Sequence, residues 1–187
     1  MQYLLASDFD GTLCRHHNAY TVSDEDREAV RRFRAAGNKV AIVTGRMYES
    51  AVEVFNVTDF HDMDCVLCLS GAYGFLPDGT ELYDRRADGK RLSELADFFR
   101  STGARYMNLD VGKHSYEYDI GGDCSFGLTP VSKETLLSLD SFTSMNVGYH
   151  TCGRAHEVCG ELCKSFSDVI TPLQNLNAID MPPCRGQ

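Results

Sequence analysis

Two aspartates near the N-terminus are the residues of this sequence best placed to do chemistry. Asp8 and Asp10 lie in the run Asp-Phe-Asp-Gly-Thr-Leu at 8–13, directly after the apolar segment 3–7. One carboxylate can attack phosphorus while the other exchanges a proton with the leaving oxygen. A divalent cation would relieve the repulsion between two acids and a phosphate. Gly11 permits the turn that lets both carboxylates face one site. An acidic surface turn is the alternative.

A second candidate site follows the next apolar segment. Thr44, Gly45 and Arg46 come directly after residues 39–43. A hydroxyl and free main-chain N–H groups at the start of a helix bind anions, so these residues are predicted to bind phosphate. A simple strand-to-helix turn, capped by Thr44, is the alternative interpretation.

The hydrophobic pattern predicts the elements that would position both motifs. Apolar strands are predicted at 3–7, 39–43 and 65–69. They alternate with a helix at 22–36, for which Ser23 is the predicted N-cap, and a second helix after Thr44. This alternation is typical of a parallel α/β sheet, whose strands end along one edge. Ligands bind at that edge, so Asp8, Thr44 and Ser70 are expected to lie there together.

The pattern changes near residue 76, where Pro77-Asp78-Gly79 forms a turn. Shorter strands and helices follow in mixed order, including strands predicted at 80–83 and 168–173. This order predicts an α+β segment rather than more parallel sheet. We therefore predict an N-terminal core at 1–75, an inserted domain at 76–181, and the start of a return to the core at 182–187.

Composition narrows the classes of partner. Asp and Glu number 27 against 18 Lys and Arg, for a net charge of -9. This balance argues against nucleic-acid or membrane-surface binding, although a bound cation could still admit a phosphate. No apolar run is long enough to span a bilayer, and the N-terminus lacks the form of a signal peptide. A cytoplasmic protein whose eight cysteines are free thiols is expected.

A zinc site is the main competing interpretation of the C-terminal cysteines and histidines, namely His150, Cys152, His156, Cys159 and Cys163. The helical spacing instead places Cys159 and Cys163 on a continuous apolar stripe, which predicts that both are core residues. His16 and His17 follow the first motif closely and are predicted to lie in a solvated loop.

Both motifs resemble those of the haloacid dehalogenase superfamily, and more narrowly its Cof-type branch of sugar-phosphate phosphatases. Asp8 and Asp10 match the first motif of the superfamily, and residues 44–46 match the second. Ser70-Gly71-Ala72 is similar to the Asn-Gly-Ala turn of the branch, with Ser in place of Asn. The segment 76–181 lies where that branch carries its α/β cap.

The resemblance implies a Rossmann-like core and a phosphoaspartyl mechanism. Asp8 would be the nucleophile and Asp10 the general acid and base. Mg²⁺ would bind the Asp8 carboxylate and the Asp10 main-chain carbonyl. Thr44 would hold the phosphate, and Gly11, Gly45 and Arg46 would also bind the phosphate or the substrate. The substrate would be a small phosphorylated metabolite such as a sugar phosphate.

The superfamily also uses a Lys that orients the nucleophile and an acidic motif that completes the metal shell, and neither has a match here. Lys133 and Lys164 fall within the predicted cap. This departure predicts a fragment or a naturally shortened homologue. It leaves open an alternative function, a catalytically incomplete module that binds phosphate or a partner. It also predicts that residues 3–7 form an apolar edge strand through which the chain self-associates.

Overall fold

A computed structural model describes residues 1–15 and 19–184, so His16 and His17 lie outside the described residues. The chain divides into two compact units, Met1–Asp84 and Arg85–Gln187. In the described part of the chain, no helix is long and apolar enough to cross a membrane.

The first unit is an α/β fold built on a five-stranded sheet with the order β1-β4-β5-β6-β7. β1 pairs with β4, and β4 with β5, in parallel, which confirms the predicted parallel sheet. The elements of this unit are β1 (Leu4–Asp8), β2 (Cys14–Arg15), β3 (Thr21–Val22), α1 (Asp24–Ala35), β4 (Lys39–Val43), α2 (Tyr48–Thr58), β5 (Cys65–Cys68), β6 (Tyr73–Phe75) and β7 (Glu81–Asp84).

Local sequence explains the two helices. The Ser23 hydroxyl accepts a hydrogen bond from the main-chain N–H of Asp26 at 3.1 Å, so Ser23 is the predicted N-cap of α1. Acidic residues in the first turn stabilise the helix, because their negative charges lie near the positive end of the helix dipole. In α2, Ala51, Val54 and Phe55 are buried at helical spacing and pack in the core of this unit.

Strand register aligns the ends of the three parallel strands. Asp8 pairs with Val43 and Val43 with Leu67. Thr44 follows Val43 directly, so the nucleophile candidate and the phosphate-binding candidate end neighbouring strands at the same level. The expected meeting of these strand ends at one edge is therefore present in the fold.

The sheet extends further along the chain than the sequence indicates. β6 pairs antiparallel with β5, and β7 with β6. The predicted strand at 80–83 is thus present, but it belongs to the first unit, which runs to Asp84 instead of ending at the predicted residue 75. Hydrophobic periodicity identifies a strand and does not specify the sheet it joins.

The second unit is an α+β fold with a six-stranded sheet in the order β11-β10-β9-β13-β15-β14. Apolar residues of α3 and α5 share one core with alternate residues of β9, β13 and β15. The elements are β8 (Ala87–Asp88), α3 (Leu92–Thr102), β9 (Tyr106–Val111), β10 (His114–Tyr118), β11 (Thr129–Val131), α4 (Lys133–Ser138), β12 (Ser141–Phe142), β13 (Ser144–Gly148), α5 (Cys152–Ser165), β14 (Leu173–Asn175) and β15 (Ala178–Met181).

Two sequence predictions in this unit need correction. Cys159 is half-buried against the core as expected, but Cys163 is exposed, because it lies at the edge of the α5 stripe. The strand predicted at 168–173 is wrong for most of its length, since β14 begins only at Leu173. All eight cysteines are free thiols in the structure.

Candidate active site

The two aspartates project from either side of a buried phenylalanine. Phe9 is fully buried and packs edge-on against Phe55, with ring centroids 5.0 Å apart. The Phe60 ring is tilted against Phe9, with centroids 5.8 Å apart. Because successive side chains of an extended chain point to opposite sides, burial of Phe9 directs Asp8 and Asp10 away from the core. Asp8 is exposed and Asp10 is half-buried.

A tight turn follows the aspartates and returns a hydroxyl to Asp8. Gly11 has a φ of +79°, in the left-handed region that costs glycine little. The main-chain N–H groups of Thr12 and Cys14 both donate to the Phe9 carbonyl, at 3.3 and 2.7 Å. The Thr12 hydroxyl then donates to the Asp8 carboxylate at 3.2 Å. This bond orients Asp8 within the turn.

Thr44 is buried at the end of β4, with 4% of its surface exposed. Its main-chain N–H donates to the Leu67 carbonyl, and its hydroxyl accepts from the main-chain N–H of Arg46 at 3.2 Å. α2 begins only at Tyr48, with Met47 as its N-cap. Residues 44–46 therefore form a loop before the helix, which excludes the alternative interpretation that Thr44 caps the helix.

Arg46 and Asp10 form a two-point ion pair. The Arg46 Nε and Nη2 atoms each lie 2.7 Å from one oxygen of the Asp10 carboxylate. Hydrogen bonding to Asp10 raises the pKa of the Arg46 guanidinium above its ordinary value, outweighing the opposing effect of burial. The pair joins the first motif to the second.

Ser70 lies in a left-handed turn beside the same loop. Leu69, Ser70 and Gly71 have φ values of 52°, 54° and 86°. The main-chain N–H of Leu69 donates to the Arg46 carbonyl at 3.0 Å, and that of Ser70 to the Thr44 carbonyl at 3.3 Å. The turn that ends β5 is thus hydrogen-bonded to the loop that ends β4.

The sequence and the fold both resemble those of known proteins. A family model described as haloacid dehalogenase-like hydrolase matches residues 5–146, which include both motifs. This chain belongs to the haloacid dehalogenase-like hydrolases. No curated protein matches its sequence.

Solved structures of this family share the fold at low sequence identity. A haloacid dehalogenase-like hydrolase from B. subtilis superimposes with a TM-score of 0.77 at 17% identity, covering 96% of this chain and 73% of that one. The phosphatase BT1666 from Bacteroides thetaiotaomicron gives 0.73 at 18% identity, covering 99% and 68%. The subclass IIB sugar phosphatase BT4131 gives 0.73 at 18%, covering 99% and 71%. At these low sequence identities, the three comparisons show that the fold is shared.

The chemistry of the donor atoms at Asp8 suits the magnesium ion that many such hydrolases use. The exposed Asp8 carboxylate and the Asp10 main-chain carbonyl are hard oxygen donors of the kind that Mg²⁺ prefers. In residues 1–15 and 19–184, no three His, Cys, Asp or Glu side chains are grouped closely enough to hold a metal ion. Asp8 and Asp10 therefore fit as part of a shell whose other ligands are waters, substrate or further residues.

Three residues take part in this site without having been singled out in the sequence. Thr12 contacts Asp8, Ser50 contacts Arg46, and Tyr20 lies 5.1 Å from the Arg46 guanidinium, measured to its ring centroid. Thr12 stood within the first motif, so its position four residues after Asp8 could have suggested the contact. Ser50 and Tyr20 lie outside both motifs. Their contacts with Arg46 depend on where the fold places the Arg46 side chain.

Proposed function

We propose that this hydrolase is a Mg²⁺-dependent phosphatase that removes phosphate from a small phosphorylated metabolite, a sugar phosphate, through a phosphoaspartyl intermediate. One observation carries the proposal: the exposed Asp8 carboxylate ends β1 in register with the end of β4, where the Thr44 loop begins. The sugar phosphatase among the structural neighbours supports the choice of substrate. The cytoplasmic location stays a prediction from the sequence.

In the first step an Asp8 carboxylate oxygen attacks phosphorus, and the bond between phosphorus and the leaving oxygen breaks. Asp10, in its protonated form, donates a proton to that oxygen, which leaves as an alcohol. The Thr44 hydroxyl and the Gly45 main-chain N–H hold the phosphate oxygens. The Asp8 carboxylate and the Asp10 main-chain carbonyl would hold Mg²⁺, which would neutralise charge between nucleophile and phosphate.

In the second step the Asp10 carboxylate removes a proton from a water molecule, which attacks the phosphorus of phosphoaspartate. The bond between phosphorus and the Asp8 oxygen breaks, inorganic phosphate leaves, and the Asp8 carboxylate is restored. Asp10 ends the cycle protonated, ready for the next leaving group. The two carboxylates therefore have different roles, and their surroundings also differ, since Asp8 is exposed and Asp10 is paired with Arg46.

Substitution of Asp8 tests this function. Asp8→Asn nearly preserves shape but removes the nucleophile, so hydrolysis of p-nitrophenyl phosphate in Mg²⁺ should fall to background. Asp62→Asn, which removes a carboxylate that pairs with Arg31 in the same unit, should keep its rate and is the matched control. Activity that persists in purified Asp8→Asn protein would overturn the mechanism. Phosphate binding without turnover in the unaltered chain would favour the alternative of a binding module.

A further inference from the structure

The Arg46 side chain is held from several directions within the first unit. Its Nε–Nη2 edge binds both oxygens of the Asp10 carboxylate, and Nη1 donates to the Ser50 hydroxyl at 2.9 Å, in the first turn of α2. The Tyr20 ring lies 5.1 Å from the guanidinium carbon. Only 19% of the Arg46 side chain is exposed.

This geometry differs from the one expected for a phosphate ligand. An arginine that binds phosphate presents a two-nitrogen edge to the oxyanion, whereas the Nε–Nη2 edge of Arg46 already holds Asp10 with two short bonds. A two-point contact between planar groups fixes the plane of the carboxylate as well as its distance. The orientation of Asp10 is therefore set by Arg46, and that of Arg46 by Ser50 on α2.

We propose that Arg46 is a positioning residue for Asp10 and not a ligand for the substrate phosphate. This inference rests on the proposed function, in which Asp10 gives a proton to the leaving oxygen. Proton transfer requires donor and acceptor within about 2.6–3.2 Å in the correct direction, so a carboxylate free to rotate about its side-chain bonds would transfer the proton slowly. Arg46 restricts that rotation from the neighbouring strand end.

The test compares leaving groups, because only poor leaving groups need the proton from Asp10. The unaltered chain, Arg46→Gln and Arg46→Lys are assayed in Mg²⁺ with p-nitrophenyl phosphate and with glycerol phosphate. The ratio kcat/KM covers the steps up to departure of the leaving group. We expect Arg46→Gln to lower kcat/KM for both substrates. The loss for glycerol phosphate should exceed the loss for p-nitrophenyl phosphate by a factor on the order of 10 or more. Arg46→Lys should not restore it, because an ammonium lacks the two-point geometry.

Binding of inorganic phosphate in Mg²⁺, measured by calorimetry, separates positioning from ligation. The affinity of Arg46→Gln should stay within about threefold of the unaltered chain, since the Thr44 hydroxyl and the Gly45 main-chain N–H hold the phosphate. Asp10→Asn should show the same leaving-group pattern, and the double variant should be no worse than Asp10→Asn alone. Arg31→Gln, which breaks an Arg–Asp pair elsewhere in this unit, is the control and should change neither measurement.

Equal losses on both substrates, or phosphate binding weakened tenfold or more in Arg46→Gln, would overturn the positioning role and leave the proposed function standing. If the unaltered chain binds phosphate without turnover, the phosphate affinity of Arg46→Gln alone decides between the two roles. Activity that persists in Asp8→Asn, or an unaltered chain that neither binds phosphate nor turns over, would instead contradict the proposed function, and this inference with it.

Discussion

The carboxylate of Asp64 makes the stability of the first unit dependent on pH. Burial alone would raise its pKa, but a hydrogen bond from the main-chain N–H of Val40 at 2.9 Å opposes this effect. Arg34 and Lys39 contribute side-chain contacts at 3.2 and 3.0 Å. Together they lower the pKa of Asp64 from 3.8 to about 2. Asp64 thus ties the start of β5 to the start of β4, the strand that Thr44 follows.

The size and sign of the effect follow from this shift. Because the folded pKa lies below the unfolded one, the stabilisation is present above the unfolded value and is lost as pH falls from about 5 toward 2. The full shift would correspond to roughly 2.5 kcal/mol. Since Lys39 is 55% exposed and its charge is screened by solvent, we expect Asp64→Asn to lower the free energy of unfolding by about 1–2 kcal/mol at pH 7.

Two measurements check the Asp64 prediction. Urea unfolding followed by circular dichroism at several pH values should show the difference between the unaltered chain and Asp64→Asn shrinking below pH 5. The chemical shift of the Val40 amide proton should titrate with a midpoint near pH 2, because that N–H donates to Asp64. Asp62→Asn removes an ion pair with Arg31 and should lower the free energy of unfolding by less than Asp64→Asn does. A Val40 midpoint near the ordinary value, or full stability in Asp64→Asn, would refute the reasoning.

Four further outcomes are expected. Phe9→Ala should cost about 3–5 kcal/mol in urea unfolding, because it opens a cavity in the core; a loss below about 1 kcal/mol would contradict this. Ser70→Asn should raise the melting temperature, since Asn adopts left-handed φ more readily than Ser. Elemental analysis of the purified protein should find no stoichiometric zinc, because Cys159 and Cys163 are not expected to bind a metal ion. The chain should self-associate through the open side of β1, whose Leu4 is 65% exposed; a monodisperse monomer by light scattering would disprove it.

The parallel strands and the motifs at their ends could be predicted from the sequence because their signals are local. An apolar run before Asp8, another before Thr44, and a capped amphipathic helix between them are each readable within a short window. The direction of the crossover then aligns the strand ends, and the observed pairing of Asp8 with Val43 follows.

What the sequence could not supply depends on long-range packing. Nothing in either motif indicates that Arg46 turns toward Asp10, since the two are separated by 36 positions and their contact exists only once β1 and β4 are adjacent. The membership of β6 and β7 in the first sheet is another long-range outcome. The exposure of Cys163 depends on how far the α5 stripe extends over the core.

The turn between β5 and β6 links the extension of the sheet to the position of the loop that follows β4. β5 runs parallel to β4 but antiparallel to β6, so the chain must reverse within Leu69–Ala72. Short reversals that match the twist of a sheet use positive φ, here at Leu69 and Ser70, at a cost on the order of 1–3 kcal/mol for each non-glycine residue. Main-chain bonds to the Arg46 and Thr44 carbonyls hold this turn in place. The same reversal that adds an antiparallel hairpin to the sheet therefore also braces the loop that carries Thr44 and Arg46.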